Sequence, residues 1–166
     1  VAARAAPVVD AALGGRAGAA RLAFAGCVTS LPGAGPQLFH ADGPREGLFN
    51  VFVPLVDGVG GKSDDGSAVG GTEFVPGSHL DAHAGTRAPT MHYDDDVLAA
   101  TVAPALAKGA MLVFDYRTVH RGRANHAARG RPRPVAYFTF AADGAEDEFN
   151  FPSGPPWLER SGPCSK

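Results

Sequence analysis

The chain is poor in cysteine, with Cys27 and Cys164 the only two in 166 residues. Two thiols make no disulfide framework, and the plain reading is a core thiol and a tail thiol. An excess of charge of either sign is missing too. A formal net charge of −2 leaves no electrostatic footprint for nucleic acid or for an anionic membrane. No apolar run approaches the roughly 20 residues of a membrane span. The chain opens on Val1 rather than Met, which reads as a fragment or processed form, truncated at its N-terminus. A targeting segment would then be invisible, and a cytoplasmic or organellar location is the expectation. The oligomeric state is not written in the sequence.

Glycine and proline, in contrast, are plentiful, at 22 and 14 residues. They fall between short apolar runs, a pattern of turns between strands rather than of disorder. A length of 166 residues suits one domain, which can bury roughly two thirds of its unfolded surface.

Residues 1–13 are alanine-rich with apolar positions at helical spacing, stopped by Gly14-Gly15, and predict a short helix. Residues 20–30 (ARLAFAGCVTS) read as a strand. Residues 48–56 (LFNVFVPLV) give the strongest strand signal, and their near-continuous apolarity predicts burial on both faces. Further strands are expected over 72–75, 97–102, 110–114 and 133–141, with Pro134 marking an edge or the start of the last. Residues 58–71 read as a flexible loop, either a lid or a surface insertion. Residues 81–96 are polar and irregular, and their run Asp94-Asp95-Asp96 reads as solvated loop before metal site. The tail after Asp143 is expected to pack as loop on the rest. Seven or so short strands with little helix predict an all-β sandwich or barrel, as a single domain over residues 1–166.

Within this frame one stretch carries chemistry. In Gln37-Leu38-Phe39-His40-Ala41-Asp42-Gly43, His40 and Asp42 stand two apart, so in extended chain both project to one face. An imidazole and a carboxylate are two thirds of the 2-His-1-carboxylate set that suits non-heme Fe(II). A second histidine, His120, ends the run GAMLVFDYRTVH, which reads as strand, bend, ligand. Beyond it the chain is basic: Arg121, Arg123, Arg129, Arg131 and Arg133. Most of these read as solvated loop. Arg133 opens an apolar strand, where a guanidinium is a fixed fork suited to a carboxylate. His79 reads as part of a turn, and His83, His92 and His126 as surface histidines.

The runs PGAGPQLFHADG, LFNVFVPLVDG, GGTEFVPGSH, GAMLVFDYRTVHRG and RPRPVAYFTFA together resemble the phytanoyl-CoA dioxygenase-like family, over about residues 20–142. The resemblance implies a double-stranded β-helix (jelly-roll, cupin-like) core, all-β with minor α, behind the short N-terminal helix. It implies an Fe(II)- and 2-oxoglutarate-dependent dioxygenase that uses O2 and hydroxylates a small molecule, releasing succinate and CO2. It makes His40, Asp42 and His120 the iron ligands. The family's spacing from the second histidine picks Arg131 as the cosubstrate anchor, whereas the strand that follows picks Arg133. Arg133 is preferred and Arg131 kept as the alternative. Many relatives carry serine or threonine two residues past the distal histidine, where this chain has Gly122. Gln37, Asn50 and Thr72 are expected around the cosubstrate, although turn and wall hydrogen bonding accounts for them equally. Related halogenases give up the carboxylate, so Asp42 argues for oxygenation. Two other classes stay open: a non-catalytic jelly-roll module or degenerate oxygenase, and a cupin-type enzyme holding another metal. The last would call for a denser histidine set.

Overall fold

The computed structural model describes residues 1–15, 18–60, 70–80, 95–126, 130–147 and 150. Helix α1 (Ala2–Ala12) leads into six strands: β1 (Ala20–Ser30), β2 (Leu48–Pro54), β3 (Thr72–Phe74), β4 (Leu112–Asp115), β5 (His120–Gly122) and β6 (Arg133–Ala142). A short helix α2 (Asp95–Ala99) lies between β3 and β4. The strands form two antiparallel sheets, one in the order β1-β6-β2-β4 and a small one pairing β3 with β5. This mostly-β, two-sheet arrangement agrees with the expected all-β jelly-roll core. No helix among the described residues is long and apolar enough to cross a membrane.

Strand parity divides the large sheet between two tasks. On β2, Val51 and Val53 face α1; on β6, Phe140 does so, and Ala5 and Val9 of the helix complete this cluster. Val9 and Val51 are fully buried and Phe140 is 2% exposed. The alternate residues, Asn50 and Phe52 on β2 and Arg133, Val135, Tyr137 and Thr139 on β6, line a cavity on the opposite face. Both faces of β2 are thus covered, as its unbroken apolarity predicts. α1 holds the following turn through Asp10, whose carboxylate accepts from the Gly18 and Ala20 amides at 2.8 Å each.

Two local expectations are corrected and one open alternative is resolved. Residues 97–102 do not form a strand: α2 covers Asp95–Ala99, and only Val102 pairs, in an isolated bridge to Phe74. Asp95 and Asp96 occupy the first turn of that helix, where carboxylates favour the N-terminal end of the helix dipole. Cys27 is exposed rather than a core thiol, because β1 is an edge strand with much of its surface open. Pro134 marks no edge, since β6 is flanked by β1 and β2; it lies at the start of the strand, opposite Thr29. The expected loops over 58–71 and 81–96 fall largely outside the described residues, as do His83, His92, Arg129 and Cys164. Of the tail, residues 144–147 and 150 are described, and Asp147 and Asn150 pack against the body of the protein, as expected.

Candidate metal centre

His40 and His120, eighty positions apart, meet through their backbones. The His40 amide donates to the His120 carbonyl at 2.9 Å, and the His120 amide returns the bond at 2.8 Å. This antiparallel bridge continues the small sheet and brings the imidazole centroids to 4.7 Å. Two residues on, the Asp42 amide donates to the Tyr116 carbonyl at 3.1 Å, keeping Asp42 on the face its spacing predicts. One donor atom from each of His40, Asp42 and His120 lies within 4.8 Å of the others, and no other cluster of this kind occurs among the described residues.

The protonation of both rings follows from their neighbours. His40 Nδ1 lies 2.8 Å from the Leu38 carbonyl, and His120 Nδ1 lies 2.9 Å from the Thr118 carbonyl. A carbonyl only accepts, so each Nδ1 carries a proton, and in the neutral ring Nε2 then offers a lone pair. His120 stands among Phe52, Phe74 and Phe114, with ring centroids at 6.1, 5.6 and 5.0 Å. Burial there pushes its imidazole below the ordinary value, against the charge of Asp42 and with that of His40. A neutral His120 therefore turns its Nε2 lone pair toward Asp42 Oδ2, 3.7 Å away. Two electron-rich atoms facing each other at that distance, with no proton to share, suit a cation between them. The donor set of two imidazoles and one carboxylate fits a first-row divalent metal such as Fe(II).

The cavity beside this cluster has a volume of about 440 Å³ and is lined by the triad, Gln37, Asn50, Thr72 and Arg133, among others. Arg133 is 7% exposed, and burial lowers its pKa from the ordinary guanidinium value. Its Nη1 donates to the Arg123 carbonyl at 2.9 Å. Arg131 is exposed and its carbonyl accepts from Asn125; it forms no part of the cavity wall.

The glycine at 122 has a steric reason. A Cβ there would lie 2.7 Å from Gln37 Oε1 and 3.2 Å from Arg133 Nη2. The Gln37 amide fills the room a serine or threonine would use, and it accepts from the Gly122 amide at 2.8 Å.

Some residues around the site escaped the sequence reading. Thr139 donates to Asn50 at 2.5 Å, and Asn50 donates to Asp42 Oδ2 at 2.6 Å. Parity held the signal for Thr139, since it shares a strand face with Arg133. Tyr116, Asp147 and Asn150 form a second network: Tyr116 donates to Asp147 at 2.5 Å, and Asn150 Nδ2 donates to the Asp42 carbonyl at 2.9 Å. No local pattern marks these three, which tertiary contact alone assembles. Burial, followed by the bond to Asp147, raises the Tyr116 phenol well above its usual range.

Comparison with known proteins adds to this geometry. Residues 63–133 match the family model of phytanoyl-CoA dioxygenase (PhyH), a stretch that includes His120, Arg131 and Arg133 but begins after Asp42. No protein of curated function matches at a significant level. Among solved structures, EvdO2 from Micromonospora carbonacea var. aurantiaca complexed with 2-oxoglutarate aligns with a TM-score of 0.58 and 22% identity, over 93% of this chain and 64% of its own. EctD from S. alaskensis, with 2-oxoglutarate and 5-hydroxyectoine, gives 0.63 and 21%, over 93% and 55%. The nickel complex of the non-heme monooxygenase ThoJ gives 0.60 and 18%, over 87% and 53%. The chain thus spans less than two thirds of the length of each of these structures, and at such identities the likeness is one of fold. Residues 63–133 thus resemble the phytanoyl-CoA dioxygenase family, and the chain as described shares its fold with these solved structures.

Proposed function

We propose that these 166 residues act as a single Fe(II)- and 2-oxoglutarate-dependent oxygenase domain that hydroxylates a small molecule. The observation that carries this reading is the pair of bridged, Nδ1-protonated histidines facing the Asp42 carboxylate, with a buried arginine in the same cavity wall. The solved relatives that hold 2-oxoglutarate or nickel on this fold support it.

In this reading His40, Asp42 and His120 would hold the iron through two Nε2 atoms and one carboxylate oxygen. Bound iron would supply the redox chemistry that couples decarboxylation of 2-oxoglutarate, to succinate and CO2, with hydroxylation of the substrate by O2. The chain's own residues bind, orient and exclude water. Arg133 offers a guanidinium fork to the distal carboxylate of 2-oxoglutarate, and burial strengthens that pairing by removing competing solvent. Gln37 and Thr72 flank this end of the cavity and supply hydrogen bonds, Gln37 in the place of the hydroxyl that Gly122 lacks. Phe52 and Val135 in the wall keep water from the reacting atoms. Burial lowers the His120 pKa and so favours the neutral, ligating imidazole over the imidazolium.

The test is succinate formation from 2-oxoglutarate with Fe(II), ascorbate and a panel of small molecules. Asp42→Ala is expected to lose turnover by at least about a thousandfold, the scale of several kcal/mol that a metal contributes to such chemistry. Absence of any turnover, together with absence of Fe(II)-dependent 2-oxoglutarate binding, would favour a binding module on the same fold.

A further inference from the structure

Asn50 is a buried amide, 4% exposed, on the cavity face of the central strand β2. Its cross-strand partner is Thr139 on β6, itself 2% exposed. The Thr139 hydroxyl donates to Asn50 Oδ1 at 2.5 Å, and Asn50 Nδ2 donates to Asp42 Oδ2 at 2.6 Å. Turning the amide over would set Oδ1 against a carboxylate oxygen, so the Asp42 charge and the Thr139 hydroxyl together fix one orientation. Both functional atoms of the amide are therefore engaged within the protein. The Asp42 backbone is separately held by the Tyr116 carbonyl and by Asn150, which leaves the carboxylate torsion as the freedom Asn50 removes.

We propose that Asn50, braced by Thr139, is a positioning residue that sets the plane of the Asp42 carboxylate for metal binding, and is not a contact to the cosubstrate. The inference rests on the metal reading above. It differs from the role expected for Asn50 from its strand position, which was cosubstrate binding. A relay from the rigid centre of the large sheet to a ligand on an irregular segment lowers the ordering cost that the ion would otherwise meet. Partners of this kind typically change metal affinity by about ten- to hundredfold.

The experiment titrates the metal-free protein with Co(II) alone, read by its d–d absorption, and then measures 2-oxoglutarate binding at saturating Co(II). The melting temperature of each metal-free variant is recorded beside it. Asn50→Leu is expected to weaken Co(II) about ten- to hundredfold, with 2-oxoglutarate affinity at saturating metal within about twofold of the parent, the margin for uncoupled sites. Thr139→Val is expected to weaken Co(II) less, and Thr139→Ser to restore it. Parental Co(II) affinity in Asn50→Leu overturns the proposal, as does a loss of 2-oxoglutarate affinity larger than the loss of metal affinity. Should Asn50→Leu fail to fold, the Thr139 pair decides: equal Co(II) affinity of the valine and serine variants overturns it. A parent protein that binds no Co(II) overturns the metal reading itself, and this inference with it. A parent that binds tightly beside an unaffected variant overturns this inference alone.

Discussion

The two sheets are built on different terms. The large sheet has long ladders, a helix packed on its outer face, and a cluster around Val51 and Phe140 that is closed to solvent. The small sheet is a pair of three-residue strands, extended by single bridges from His40 to His120 and from Phe74 to Val102. The three candidate ligands all belong to this slighter side, on β5 and on the irregular chain beside it. Part of their orientation comes from the other side: Phe52 and Phe114 pack on His120, and Asn50 holds Asp42. Bending and bridging put the donor atoms together, while regular ladders lend the rigidity that a ligand set requires. Stability and chemistry are accordingly separable across the cavity.

That separation can be broken by experiment. The largest effect is expected from Phe140→Ala, which empties a site that is 2% exposed beneath α1 and costs about 3–5 kcal/mol of folding stability. Co(II) affinity of the folded protein should stay within about twofold, because this side chain stands on the face of β6 opposite the cavity. Denaturant unfolding and metal titration on the same variant check both halves, and a matching collapse of metal affinity would join the two sheets into one unit. Next in size is the anchor. Arg133→Gln is expected to raise the KM for 2-oxoglutarate about thirtyfold, from the roughly 2 kcal/mol of a charge-assisted hydrogen bond, while Arg131→Gln leaves it unchanged. Steady-state kinetics on the pair would reverse the assignment if Arg131 gave the larger rise.

The smallest effect is a pH dependence confined to the small sheet. His120 has an ordinary value of 6.5 that burial lowers in the folded chain. As pH falls below about 6.5 the unfolded chain takes up the proton before the folded one, so the metal-free protein loses stability on acidification. Above that pH both states are neutral and the contribution vanishes. The slope attributable to His120 is at most about 1.4 kcal/mol per pH unit. Thermal melts at pH 7.5 and 5.5 should show this drop, and His120→Gln should reduce it; an equal drop in the variant would assign it to other groups.

Local pattern was a good guide wherever one strand face settles the outcome. The i, i+2 spacing of His40 and Asp42 put both on one side, and the apolar run of β2 meant burial on both faces. Of the two arginines, Arg133 lines the cavity and Arg131 does not, and its role as anchor is part of the proposal. Pattern failed where tertiary surroundings outweigh propensity. Residues 97–102 look like a strand by composition, yet Asp95 and Asp96 begin a helix there. Cys27 looks buried by composition, yet it lies on an edge strand whose one neighbour among the described strands is β6.

By itself the sequence determined the turn-rich strand pattern, the residue types of the candidate ligand set and the shared face of His40 and Asp42, because those follow from chemistry and strand parity. Only the tertiary structure decided that His40 and His120 share a backbone bridge, that Gln37 takes the room beside Gly122, and that Thr139 and Asn50 reach Asp42. Those contacts join residues up to 89 positions apart, and a period of two along one strand carries no information about which other strand will lie beside it.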